Sequence, residues 1–410
     1  MEPIDNKESS ALLQDSHVKE VLIADKGDNA ILESWYTKPF TKKGDNFTSF
    51  ITSIIVKYSL DGNTKEVSYV AKLNPCWSEM EMDDMYNSLF RKESIFYMDI
   101  LRDINFELVQ VEQKQLEFPQ CFYASDEMKR EVIIFEDLRT PGFKMTDKLK
   151  GMDVPHATLV MKALGRFHGG SILLQQKTNT NNLSEKYETL NDHLWIEKLK
   201  DAWIISVLKT GAAITESIGG YEPVREWIEK TLENIDDFLS EQWGDSPPFN
   251  VVIHGDCWTN NVLFRYNSEG LPEEVMLLDV EVNRFCSLAV DLSYFMATSL
   301  DGKTRKDYKE QLLREYYSSL ISVIEGGGGS MPFTIEELKQ EFERKRPFGL
   351  LWGIATLPPI LMPPEDLPDF GTHTEEWKQK TVNSIGSNEA LKTRLLALFD
   401  EMMEDGKLGS

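Results

Sequence analysis

The octapeptide His254-Gly255-Asp256-Cys257-Trp258-Thr259-Asn260-Asn261 runs straight into a short apolar segment, Val262–Tyr266, and a second such run follows at Val275–Leu278. Between them, Asn267-Ser268-Glu269-Gly270-Leu271-Pro272 supplies turn chemistry, so the two runs are predicted to pair as an antiparallel hairpin. Asn261 stands just before the first strand and Asp279 just after the second. Closing the hairpin therefore brings both side chains to its open end, with Asp256 five residues upstream beside them.

Such a set suits metal-dependent phosphoryl transfer. Mg²⁺ takes oxygen ligands, typically a carboxylate or amide together with phosphate oxygens and water, and Asn261 and Asp279 fit that role. Transfer to an alcohol also needs a carboxylate that orients the hydroxyl and accepts its proton. Asp256 fits that one. The plainer reading makes Asp256 and Asn261 loop caps and Asp279 a strand end.

The upstream sequence carries a matching set. The segment from Gly44 starts with small, turn-forming residues and leads into the β-branched run Phe50–Tyr58, so Asn46, Phe47, Thr48 and Ser49 are candidates to lay backbone N–H groups over phosphates. In the following strand, Glu66–Leu73, residues Val67, Tyr69, Ala71 and Leu73 share one face and Lys72 the other. A helix is predicted from Asn87 to Asp103, where Leu89, Glu93, Phe96 and Ile100 form an apolar stripe. A carboxylate on that stripe is costly unless paired, and Lys72 is the natural partner. A strand lysine held by a helix glutamate is how kinases aim a lysine at nucleotide phosphates. The run Glu131–Phe135 then ends abruptly at Glu136-Asp137-Leu138 before the turn Pro141-Gly142, as a hinge between two lobes would. Backbone groups from Glu136 to Leu138 are candidates to meet adenine.

With Lys72, Glu93, the Phe135-Glu136-Asp137-Leu138 strand end, Leu164-Gly165-Arg166-Phe167-His168, the His254–Asn261 loop, Asp279 and Asp291-Leu292-Ser293-Tyr294-Phe295 in this order, the chain resembles the ecdysteroid kinase-like (CHK kinase-like) family, related to choline kinases and aminoglycoside phosphotransferases. The resemblance covers roughly residues 40 to 350. It implies an α+β, bilobal protein-kinase-like fold with a small strand-rich N-terminal lobe and a larger, mostly helical C-terminal lobe. It also implies ATP- and Mg²⁺-dependent phosphorylation of a small-molecule hydroxyl. Carried over by position, Lys72 would bind phosphates, Glu93 would hold Lys72, Asp256 would be the base, and Asn261 and Asp279 would bind the metal. A steroid alcohol such as an ecdysteroid is the leading acceptor implied. A choline-like or aminoglycoside-like substrate and a nucleotide- or steroid-binding pseudokinase are the other readings. Where the family commonly has Phe-Gln after the metal-binding Asp, this chain has Val280-Glu281, which adds a negative charge at the site and to which no role is given.

Composition narrows the setting. A net charge of −24 argues against nucleic-acid binding, which relies on Lys and Arg. The four cysteines lack metal-ligand spacing, the amino terminus lacks the apolar core of a signal peptide, and no apolar run of about 18 residues suggests a membrane span. A cytoplasmic protein with no obligatory protein partner is expected, divided into a nucleotide-binding lobe with a helical extension (1–138) and a lobe carrying the catalytic loop, metal site and acceptor pocket (139–410).

Other features read as scaffold. His254 and His168 are expected to brace loops, Asp291 to cap a helix, and Cys257 to be inert. Residues 8–40 are expected to be helical throughout, with Val18, Leu22, Ile31 and Trp35 on helix faces. Trp195, Leu199 and Trp203, like Trp227 and Thr231, fall at helical spacing and either form core or line an acceptor pocket. Gly326–Ser330 reads as a flexible linker, and the apolar, then proline-rich Phe348–Pro364 as a segment that borders the acceptor cleft or packs across the larger lobe.

Overall fold

The computed structural model describes residues 6–39, 49–76, 83–191, 198, 200–363 and 375–404. Asn46, Phe47, Thr48, Trp195 and Leu199 lie outside them. The N-terminal part is built on a five-stranded antiparallel sheet in the order β1-β2-β3-β5-β4, with β1 at Ile31–Pro39, β2 at Phe50–Leu60, β3 at Asn63–Leu73, β4 at Cys121–Ser125 and β5 at Val132–Glu136. The segment 40–49 therefore joins two paired strands. Alternation in β3 works as the sequence predicts: Tyr69, Ala71 and Leu73 enter one core with Ile54, Val56 and Ile134, while Lys72 lies between Ile51 and Ile133 in the register.

Helix α1 (Lys7–Ser10) and helix α2 (Asp15–Lys26) cover this sheet through Val18, Val21 and Leu22. The helical reading of 8–40 is corrected beyond Lys26: residues 31–39 are strand β1, not helix. Two ties fasten the extension to the sheet. Asn6 donates to the Pro75 carbonyl at 2.9 Å, and the buried Tyr69 hydroxyl donates to Asp25 at 2.7 Å.

The predicted helix over 87–103 is observed as α3 (Asp83–Ile95), which passes through one π-helical turn at Phe96–Ile100 into α4 (Leu101–Gln110). The remainder is mostly helical: α5 (Val154–Thr178), α6 (Ile205–Ile218), α7 (Glu222–Glu233), α8 (Ile235–Trp243), α9 (Ala289–Ser299), α10 (Gly302–Gly326), α11 (Ile335–Leu361), α12 (Glu375–Ser384) and α13 (Glu389–Glu404). Two small antiparallel pairs interrupt it, β6 (Asn250–Ile253) with β9 (Arg284–Ser287) and the hairpin of β7 (Val262–Tyr266) with β8 (Pro272–Leu277). Asp153 caps α5 by accepting from the His156 N–H, with Pro155 in the first turn. A capping box of Thr334 and Glu337 starts α11.

Gly326–Ser330 is not a flexible linker. It closes α10 in a turn locked by two bonds to Gln176, whose amide donates to the Ser330 carbonyl and accepts from its N–H. The Phe348–Met362 stretch is helical as far as Leu361, and Phe348, Leu351, Ile354 and Leu357 are buried against the larger core.

Candidate functional site

Lys72 is almost wholly buried, and its ammonium donates to three carboxylates: Glu93 at 2.6 Å, Glu281 at 2.7 Å and Asp279. β3 supplies the lysine, α3 the glutamate, and the segment after β8 the other two, so the cluster ties the sheet to the helical part. A network around Glu131 fixes the geometry. Its carbonyl accepts from the Asn74 N–H, and its carboxylate takes the side chains of Asn74 at the end of β3 and Asn87 on α3.

Burial by itself would lower the Lys72 ammonium, but Asp279, Glu281 and Glu93 overcome it and hold it well above the usual lysine range. Burial raises Glu93, partly offset by Lys72, and burial together with the charge of Asp279 pushes Glu281 up to about 8. One ammonium cannot neutralise three carboxylates, and this crowding of negative charge favours the protonated form of Glu281. The carboxylate oxygens lie within 4.8 Å of one another, a spacing that a cation can bridge. Glu281, given no role from sequence, thus belongs to the site. Two residues past Asp279 in an irregular segment, it carries no periodicity that would have revealed it.

The hairpin gathers Asn261 and Asp279 at its open end, as its spacing predicts. The Leu278 N–H donates to the Asn261 carbonyl at 2.9 Å. Asn261 turns its amide nitrogen to Asp256, at 3.0 Å from the carbonyl and 2.9 Å from Oδ2, so its amide oxygen is not spent on that carboxylate. Asp279 has φ +63°, a left-handed backbone costly for a non-glycine residue. An Asp carboxylate and an Asn amide oxygen are hard oxygen donors, and this pair fits Mg²⁺.

Asp256 is partly buried. Its Oδ1 accepts from the Tyr294 hydroxyl at 2.5 Å, opposite the Asn261 bond to Oδ2. Desolvation raises its carboxyl to about 7, with Asp279 adding to the shift and the bonds from Tyr294, Asn261 and Trp258 opposing it. A carboxyl poised near neutrality is suited to accept a proton at physiological pH.

Asp291 does not cap its helix. Leu288 holds the cap position of α9, and the fully buried Asp291 carboxylate instead accepts the backbone N–H of His254 at 2.7 Å and of Gly255 at 2.9 Å. His168, on α5, places Nε2 3.2 Å from the same carboxylate and Nδ1 2.9 Å from the Tyr316 hydroxyl. Burial would raise Asp291, but these partners outweigh it and hold it below its ordinary value. The loop needs its glycine: Gly255 has φ +85°, and a Cβ there would stand 2.5 Å from the Val282 carbonyl oxygen. His254 is fully buried and lies over the Phe118 ring.

At the strand end, of the backbone groups expected to meet adenine, the Glu136 N–H and the Asp137 and Leu138 carbonyls already have partners within the protein. Glu136 and Gln120 exchange two bonds, and Asp137 accepts from Ser68 and Arg139, each at 2.6 Å. Leu138 is buried and its carbonyl accepts from Phe143, while its N–H has no partner among the described residues. Ser49 is buried at the start of β2.

On the helical side of Asp256, Tyr294 leads into an aromatic cluster. Its ring meets Trp352 at 6.0 Å and Phe348 at 6.5 Å, and Trp352 stacks on Trp203 at 5.7 Å and adjoins Trp243 at 6.4 Å. The buried Arg284 guanidinium sits over Trp243 at 4.7 Å.

Among solved structures, the chain is similar to an ethanolamine kinase of Plasmodium vivax (13% identity, 99% of this chain and 97% of that one, TM-score 0.39). It is also similar to the choline kinase LicA of Streptococcus pneumoniae (13%, 91% and 98%, TM-score 0.37) and to a GDP complex of aminoglycoside 2'-phosphotransferase-IIIa (12%, 94% and 99%, TM-score 0.39). No match was found among curated proteins. Among the described residues, no helix is long and apolar enough to cross a membrane. Comparison with known families matches residues 43–326 to the Ecdysteroid kinase-like family. The chain belongs to that family and is a small-molecule kinase with an alcohol group as acceptor.

Proposed function

We propose that the chain transfers the γ-phosphoryl group of ATP, with Mg²⁺, to the hydroxyl of an apolar alcohol, with a steroid alcohol such as an ecdysteroid as the leading acceptor. Asp256 is the base. The acceptor O–H gives its proton to Asp256, its oxygen bonds to phosphorus, and the bond from phosphorus to the ADP oxygen breaks. Lys72 binds phosphates, held by Glu93 and Glu281, and the Leu138 N–H meets adenine. Asn46, Phe47, Thr48 and Ser49 cover the phosphates, with Glu136 and Asp137 shaping the hinge through their backbone. Asn261 and Asp279 hold Mg²⁺, which when bound neutralises phosphate charge.

The observation that carries the acceptor class is the aromatic cluster that begins at Tyr294, on the base itself. The outer rings of the cluster, Trp203 and Trp243, are only partly buried and offer a flat apolar molecule a surface to pack on. A quaternary ammonium would also find aromatic faces attractive, but the guanidinium of Arg284 already lies on Trp243 and repels a second cation.

The test is ATP consumption over a panel of steroid alcohols, aminoalcohols and aminoglycosides, with Asp256→Ala as control. Turnover confined to steroid alcohols and lost in Asp256→Ala is expected. Turnover of choline without steroids overturns the acceptor class, and tight Mg-ATP binding with no turnover of any acceptor makes the chain a non-catalytic binder.

A further inference from the structure

We propose that Tyr294 is a positioning residue for the base: its hydroxyl and the Asn261 amide fix the Asp256 carboxylate between them and leave the remaining lone pairs for the acceptor hydroxyl. The proposal rests on the reading of Asp256 as the base.

A buried phenol needs a partner for its O–H. Tyr294 is 5% exposed, and its hydroxyl goes to Asp256 Oδ1 at 2.5 Å. Asn261 donates to the other oxygen, Oδ2, at 2.9 Å. An ionised carboxylate offers about four acceptor positions, so the bonds from Tyr294, Asn261 and Trp258 still leave one for an incoming hydroxyl. Rotation of the carboxylate would break both bonds at once. Asp256 is thereby held in one plane before substrate arrives, which is the condition for efficient positioned catalysis.

Helix α9 handles the loop at two levels. Asp291 holds the His254 and Gly255 N–H groups, and Tyr294, three residues and nearly one turn later on the same helix, holds the Asp256 side chain. The helix is buried along its whole length, so neither handle moves independently of the core. Burial, reinforced by the neighbouring Asp256 charge, keeps the Tyr294 hydroxyl protonated far above neutral pH, so it remains a donor. The Tyr294 ring also meets Trp352 and Phe348 of α11.

Tyr294→Phe removes the O–H and keeps the ring. With the best acceptor of the panel, kcat is expected to fall about ten- to a hundredfold, the scale of a lost hydrogen bond to a charged group. KM for Mg-ATP is expected to stay at the wild-type value and the melting temperature to fall by no more than one lost buried hydrogen bond accounts for, and a fluorinated tyrosine at 294, which retains the O–H, to restore kcat. Asp256→Asn is assayed in parallel. Wild-type kcat in Tyr294→Phe beside an inactive Asp256→Asn overturns the positioning role alone. An unimpaired Asp256→Asn overturns the base assignment beneath it. A joint loss of kcat, Mg-ATP affinity and melting temperature in Tyr294→Phe marks a packing role and also overturns the proposal.

Discussion

Asp256 links activity and stability to pH with opposite signs. Its carboxyl is raised to about 7, so the native chain holds that proton through a pH range where the unfolded chain has released it. The stability contributed by the bound proton is full below the ordinary carboxylate range, about pH 4, and is lost as pH rises through about 7. Base catalysis runs the other way, because only the deprotonated form accepts a proton. Turnover is expected to decline below about pH 7, and Asp256→Asn to melt higher than wild type at pH 8 with the difference shrinking toward pH 4. A kcat profile flat from pH 5 to 8, or an unchanged melting temperature at pH 8, contradicts this. The residues of the site were unequally legible. Lys72 and Glu93 could be read because each stands on a periodic element, where period two or a helical stripe makes a buried charge conspicuous. Glu281, Asp291 and Tyr294 could not. Their partners lie 209, 37 and 38 positions away respectively, and nothing local distinguishes a loop-bracing Asp from a helix cap.

At the scale of elements, the site depends on how closely α9 lies against α11. Gly349 permits that approach, since a Cβ there would run into the Ser293 carbonyl of α9. Backbone cannot yield as a side-chain tip does, so Gly349→Ala must push apart two helices that carry Asp291 and Tyr294 on one side and Phe348 and Trp352 on the other. A loss of about 1–3 kcal/mol, the usual cost of overpacking, is expected in a denaturant melt, together with a kcat loss larger than any change in KM for Mg-ATP. Unaltered stability and kcat would show that the helices part without consequence. The elements misread from sequence failed for physical reasons too. β1 has a register irregularity between Leu32 and Ser34 and no fully buried residue, so its alternation is broken and its apolar positions mimic helical spacing. Four successive glycines before Ser330 suggested a spacer because composition carries no information about Gln176, which sits on a different helix and locks the turn.

For the whole molecule, the segment matched to the family, residues 43–326, is smaller than what holds the site together. Outside it lie β1, which pairs along β2, and α2, whose Val18, Val21 and Leu22 are buried in the sheet core. So do α11, whose Phe348, Leu351, Ile354 and Leu357 enter the larger core, and α13, which adds Leu391, Leu395, Leu398 and Phe399. Burying one such side chain contributes roughly 1.5–3 kcal/mol, against a net stability of only about 5–15 kcal/mol for a typical domain. Removing α2, α11 and α13, which each bury three or four of these side chains, together with the strand that pairs along β2, exceeds that margin. A fragment of residues 43–326 is therefore expected to lack a cooperative thermal transition and to bind a hydrophobic dye, whereas the full chain melts cooperatively. A fragment that melts sharply and binds Mg-ATP as tightly as the full chain would show instead that the flanking helices and the edge strand are accessory.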